Sequence, residues 1–162
     1  MTRPIVIRQE RPDHAGVVSL LDTLDKYLGS LYAPQDNHIL DVQALLASDV
    51  HFLVAVQGQD LVGCGAVRVM PAEAATDDAP YGEIKRMVVA PAARGKGVAR
   101  ALLAALEAHL SNIGLTQALL ETGSAQTAAV ALYERCGYAR RGPFGGYPDN
   151  ELSAFYAKSL TP

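Results

Sequence analysis

The sequence predicts a mixed α/β fold, and three observations carry that expectation. Segments with strand and helix patterns alternate along the chain, and antiparallel hairpin signals stand near both ends. A chain of 162 residues, 49% of them apolar, is also long enough to bury a core as one domain spanning 1–162.

Each element follows from its local pattern. "IVIR" (5–8) reads as a short strand. Asp13 is placed to cap a helix whose apolar stripe is Val17, Leu20, Leu21, Leu24, Leu28 and Leu31, with Gly29 and Pro34 set against its continuation. "APQDNH" is a polar loop, and Asp41 opens a second short helix over "LDVQALLAS". "HFLVAVQ" and "LVGCGAVRVM", joined by "GQD", form a hairpin; Gly63 and Gly65 inside it imply a bulge or a close backbone neighbour. "PAEAATDDAPY" is acidic and alanine-rich, the segment expected to be most mobile. "GEIKRMVVA" is a strand stopped by Pro91. A helix follows with Val98, Leu102, Leu106 and Leu110 four apart and Gly114 beyond its end. "QALLET" is a strand, "AQTAAVALYERCGY" a helix closed by Gly137, "YARR" a strand, "GPFGGYPDN" a turn-rich loop and "ELSAFYAK" the last strand.

Composition removes several function classes. The net charge of −3 and pI near 5.7 argue against a nucleic-acid backbone as partner. Apolar runs fall far short of the ~20 residues of a membrane span, and "MTRPIVIRQE" lacks the apolar centre of a signal peptide. Cys64 and Cys136 are far apart, and the four histidines form no ligand pattern. The expectation is a cytoplasmic protein with reduced thiols and no metal.

The stretch "RGKGVARALL" (94–103) carries the chemistry. Glycines where a strand passes into a helix leave backbone N–H groups uncovered, and the first N–H groups of a helix have no internal acceptor. With the dipole and the charges of Arg94 and Lys96, these groups would make a phosphate site; the alternative reading is a surface helix start with its basic residues in solvent. It is not a Walker loop, because Val98 follows Gly97. Nor is it a dinucleotide fingerprint, because Arg100 stands where a third glycine or alanine belongs.

Arg94-x-x-Gly97-x-Ala99, preceded by "EIKRMVV" and Pro91 and followed about thirty residues later by "ALYERCGY", resembles the GNAT acetyltransferase superfamily. The likeness runs from "IVIR" to "SAFYAK" in the family's order of elements. It implies a mostly antiparallel mixed sheet flanked by helices, splayed where the donor enters. It implies acetyl-CoA as co-substrate, its pyrophosphate held by the backbone of Arg94, Gly95, Lys96, Gly97, Val98 and Ala99. Met87, Val88 and Val89 would offer backbone groups to the pantetheine arm, where one N–H would also hold the thioester carbonyl. An asparagine that many members use on that arm is replaced here by Gln126, with Ser124 nearby as a substitute.

Transfer to an amine requires removal of a proton from an ammonium. By resemblance Glu83 is the base, read alternatively as a strand-end carboxylate paired with Lys85 or Arg86; His38 and Glu121 stand in reserve. Tyr133 falls at the family's general acid, neutral at pH 7, and reads alternatively as an aromatic anchor packed with Val130. Cys136 reads as a small packed residue rather than a nucleophile. The family architecture puts Tyr32, Asp36, Asn37 and His38, with Phe144, Tyr147, Asp149 and Asn150, at the acceptor mouth. Aromatic faces and carboxylates there suit a small cationic primary amine, while the same residues are ordinary turn formers. The reaction implied is direct attack in a ternary complex. A non-catalytic coenzyme A sensor and a protein-lysine acetyltransferase are the competing readings, and an RNA-binding domain fits the acidic balance poorly. The resemblance also admits a homodimer.

Overall fold

The computed structural model, which describes residues 3–160, holds seven strands and four α-helices. They are β1 (Ile5–Gln9), α1 (Ala15–Leu31), α2 (Val42–Leu45), β2 (Val50–Gln57), β3 (Asp60–Met70), β4 (Tyr81–Val89), α3 (Val98–Asn112), β5 (Gln117–Gly123), α4 (Thr127–Arg135), β6 (Ala139–Arg141) and β7 (Ser153–Ser159). The sheet order is β1-β2-β3-β4-β5-β7-β6, mostly antiparallel, with β4 and β5 parallel. The mixed α/β expectation holds. The described chain divides into two units: one runs to Val67 and includes Lys85–Leu106, the other comprises Arg68–Ile84 and the residues from Glu107 onward.

In the first unit β1 pairs antiparallel with β2, from Ile5 opposite Gln57 to Gln9 opposite Leu53. The α1 helix begins one residue later than the sequence implies. Asp13 takes a bidentate contact from Arg11, at 2.9 Å for each bond, and His14 becomes the cap by accepting the Gly16 N–H at Nδ1, 3.1 Å. Gly29 does not stop the helix. Its Cβ position is open space, so it costs α1 about 1 kcal/mol without breaking it. Asp41 caps α2 as expected, Oδ1 accepting from Ala44 N–H at 2.8 Å, though the helix is a single turn.

Val17, Leu20 and Leu21 of α1 pack with Leu45, Phe52, Val54, Cys64, Ala66 and Val88. Each large apolar side chain so buried contributes roughly 1.5–3 kcal/mol. Gly63 and Gly65 have the close neighbours the sequence implied: a Cβ on Gly63 would press on Val98 and the Val88 carbonyl, and one on Gly65 would meet the Met87 sulfur. Within β4, Arg86 lies at φ +59°, a left-handed conformation costing about 1–2 kcal/mol for a residue with a Cβ. Two contacts hold it there: its guanidinium meets Asp25 of α1 at 2.6 Å, and the Cys64 thiol donates to its carbonyl at 3.7 Å.

In the second unit β4 and β5 are in parallel register at Gly82–Ala118 and Glu83–Leu119. β5 pairs antiparallel with β7 from Gln117–Ser159 to Gly123–Ser153, and β6 lies on the far side of β7. Tyr81, Leu119, Phe144 and Phe155 form its aromatic core; the Phe144 ring meets Tyr81 and Phe155 edge-on at 5.5 and 5.9 Å. The alanine-rich connection before β4 is pinned, contrary to expectation. Thr76 is buried with its hydroxyl on the Ala79 carbonyl at 2.8 Å, Gln117 donates to the Thr76 carbonyl at 3.3 Å, and Arg141 donates to the Ala75 carbonyl at 2.5 Å. Among the described residues no helix is long and apolar enough to cross a membrane.

Candidate active site

The glycine loop belongs to the first unit. Pro91 opens a 3-10 turn, Pro91–Ala93, and buried Ala93 anchors it. Arg94 Nε then donates to the Val89 carbonyl at 3.3 Å. Gly95 and Gly97 sit at φ +75° and +83°, where side chains are strained, and a Cβ on either would meet nothing within 4 Å. The Ala101 N–H donates to the Gly97 carbonyl at 3.0 Å. The amides of Val98, Ala99 and Arg100 therefore precede the first intrahelical donor of α3, at its positive pole. Arg94 and Lys96 are exposed beside them. Chemically this arrangement can cradle an anion.

The other first-unit candidates are distributed as follows. Val88 points into the core, Met87 lies against Gly65, and Val89 gives its carbonyl to Arg94. Tyr32 is buried where α1 ends. Asn37 closes the 3-10 turn Pro34–Asp36, and half-buried His38 gives its carbonyl to Lys85 Nζ at 3.3 Å. Of the two cations considered for Glu83, Arg86 is thus committed to Asp25 and Lys85 reaches His38.

The second unit brings together residues that the sequence had assigned to different tasks. Glu83 is only 4% exposed, and the Tyr147 hydroxyl donates to its Oε2 at 2.5 Å. Burial first, and then the Glu83 charge, push the Tyr147 phenol well above its ordinary range; Glu121 adds to the effect. Glu121 in turn accepts from the Ser153 hydroxyl at 2.8 Å. Phe144 is buried, Asp149 is exposed, and Asn150 is a turn residue whose Oδ1 accepts the Leu152 N–H at 3.0 Å.

On α4, Tyr133 is 7% exposed and packs edge-on to Tyr138 at 5.9 Å. Burial raises its phenol above the ordinary tyrosine range. The Tyr138 hydroxyl is engaged by Glu107 at 2.8 Å. Gln126 precedes the helix with its side chain not used as a cap, whereas Ser124 donates its hydroxyl to the Glu151 carbonyl at 2.6 Å. Half-buried Cys136 closes α4 through its backbone N–H, while burial pushes the Cys64 thiol up to about 12. Among the described residues no group of three or more His, Cys, Asp or Glu is arranged to hold a metal.

The sequence reading missed Glu73 and knew Arg86 only as a possible partner of Glu83. Arg86 gave no signal beyond its charge, because φ and the Asp25 contact are tertiary facts. Glu73 lay hidden in the segment expected to be loose. Its carboxylate accepts from the Tyr81 hydroxyl at 2.9 Å and from the Gly145 N–H at 2.8 Å.

Known proteins resemble this chain over most of its length. A family model described as acetyltransferase (GNAT) family matches residues 17–138. An IAA acetyltransferase of Azospirillum brasilense is 44% identical over 96% of this chain and 98% of its own. The crystal structure of a Klebsiella pneumoniae protein described as an acyl-CoA N-acyltransferase is 34% identical, with a TM-score of 0.76 over 97% of this chain and 98% of that one. A Thermoplasma acidophilum N-acetyltransferase solved in complex with coenzyme A shares the fold at 14% identity, with a TM-score of 0.70 over 96% of this chain and 99% of that one. The glycine loop opening α3, the strand before it and the tyrosine-bearing α4 all fall inside the matched residues, and the chain belongs to the GNAT family of N-acetyltransferases.

Proposed function

We propose that the chain, as one domain over its whole length, moves an acetyl group from acetyl-CoA to the primary amine of a small-molecule acceptor by direct attack in a ternary complex. The observation that carries this reading is the loop Arg94–Ala99. Two left-handed glycines with open space at their Cβ positions, exposed cations and three helix-start amides fit a pyrophosphate. The fold neighbour solved with coenzyme A supports the same donor.

Bound acetyl-CoA supplies an activated carbonyl and a thiolate leaving group. The chain's residues do the rest. The amides of Arg94–Ala99 hold the phosphates, the backbone of Met87–Val89 takes the pantetheine arm, and Gln126, whose side chain does not cap α4, supports that arm with its amide. Glu83 removes the ammonium proton, with Tyr147 holding one carboxylate oxygen in place. The Tyr133 hydroxyl returns a proton to the departing sulfur. Tyr32, Asn37 and His38 would meet the acceptor. Cys64 is too deeply buried and too weak an acid to serve as an acyl carrier, which favours direct transfer. The A. brasilense relative's name supports a small acceptor rather than a protein lysine. Free cysteines favour a cytoplasmic setting.

The test is thiol release from acetyl-CoA against a panel of small amines, set beside a calorimetric titration. Heat of binding together with amine-dependent thiol release supports the reading. Binding without release for any amine makes the protein a sensor, release with protein lysine alone overturns the small acceptor, and no heat with acetyl-CoA overturns the donor site.

A further inference from the structure

The loop before β7 carries a tight turn whose placement is set from outside. Gly145 and Gly146 lie at φ +63° and +76°, and the Tyr147 N–H closes the turn on the Phe144 carbonyl at 3.1 Å. Two consecutive left-handed residues fix the turn's shape but not its position. Position comes from Glu73: Oε1 accepts the Gly145 N–H at 2.8 Å, and Oε2 accepts the Tyr81 hydroxyl at 2.9 Å. Tyr81 is fully buried and lies on β4 two residues before Glu83. One carboxylate therefore references the turn to the strand that carries the proposed base. At the turn's end, the Tyr147 hydroxyl reaches Glu83 Oε2. The connection that carries Glu73 is itself anchored by Thr76, Gln117 and Arg141.

We propose that Glu73 is a positioning residue that sets the Tyr147 hydroxyl on Glu83, and so fixes the direction in which the Glu83 carboxylate meets the acceptor ammonium. This rests on the reading of Glu83 as the base. Glu73→Ala removes both bonds of the clamp. Glu73→Gln keeps an oxygen for Gly145 and an amide for Tyr81, so it is the conservative rescue.

Two readouts test it. Amide hydrogen exchange at Gly145 and Tyr147 reads the clamp without any activity: about tenfold faster exchange in Glu73→Ala and near-native rates in Glu73→Gln are expected. Steady-state kinetics reads its use. Glu73→Ala should lower kcat about tenfold with the KM for acetyl-CoA within about twofold, Glu73→Gln should restore most of it, and Glu73→Ala should cost nothing further in a Tyr147→Phe background. Unchanged exchange in Glu73→Ala overturns the clamp. An equal kcat loss with and without the Tyr147 hydroxyl overturns its positioning role and leaves a structural one. If Glu73→Ala does not fold, Glu73→Gln and Glu73→Asp carry the same test, since shortening by one methylene breaks the two-point reach. A wild-type protein that releases no thiol with any amine sinks the acetyltransfer reading instead, and exchange still decides the clamp.

Discussion

Tyr133 is the residue at which packing and chemistry are hardest to separate. Its ring is buried against Tyr138, so it anchors α4 whatever else it does. The neighbouring phenol of Tyr138, beyond the end of α4, is already donated to Glu107, and the proposed proton transfer falls to Tyr133. Tyr133→Phe keeps the ring and deletes the oxygen. The expected result is a fall in kcat of about 10²-fold, with acetyl-CoA affinity by calorimetry within about twofold. An unchanged kcat assigns the residue to packing. Glu83 was legible as a candidate because it stands in a recognisable motif, although β4 begins two residues before it, at Tyr81. Its hydrogen bond to Tyr147, 64 positions away, was not, and a residue placed on the acceptor wall turned out to be Glu83's hydrogen-bond partner.

At the scale of elements, legibility followed the range of the forces involved. The turn into α3 was readable because a left-handed glycine and a helix start are local events within a few residues. The same locality makes a clean prediction. Gly97 has open space at its Cβ, so Gly97→Ala meets no steric wall and costs only the left-handed conformation, about 1–2 kcal/mol. Denaturant midpoints should fall accordingly, and calorimetry with acetyl-CoA should show weakened binding if the turn relaxes away from φ +83°. The connection before β4 was misread for the opposite reason. Its acidic, alanine-rich composition looks solvated, yet its anchors, Gln117, Arg141 and Gly145, lie 41, 66 and 72 positions away. The α1 cap was missed by one residue because Arg11 claims Asp13 first.

For the whole molecule, the alternation of elements gave the α/β class, and the resemblance supplied the largely antiparallel sheet. Strand order itself, with β7 inserted between β5 and β6, has no local signature. A global consequence follows from four phenols. Tyr81, Tyr133, Tyr138 and Tyr147 are all raised above the ordinary tyrosine range, chiefly by burial, and all belong to the unit formed by Arg68–Ile84 and the residues from Glu107. In the unfolded chain they ionise near pH 10, while the folded chain keeps their protons. The native state therefore binds more protons above that pH. Their contribution to stability is complete below about pH 10 and is lost as pH rises through the folded values. Denaturant midpoints should be flat from pH 7 to about 9.5 and fall steeply beyond it, with exchange protection lost first in this second unit.

The two sulfurs carry a practical corollary. Cys64 is sealed in the core with its thiol pushed up to about 12, while Cys136 is half-buried at the end of α4. Iodoacetamide at neutral pH should add a single carbamidomethyl group to the native protein and two in denaturant, as intact mass will show. A chromogenic disulfide used to count liberated coenzyme would accordingly register up to one stoichiometric equivalent from the enzyme itself, a baseline that Cys136→Ala should erase.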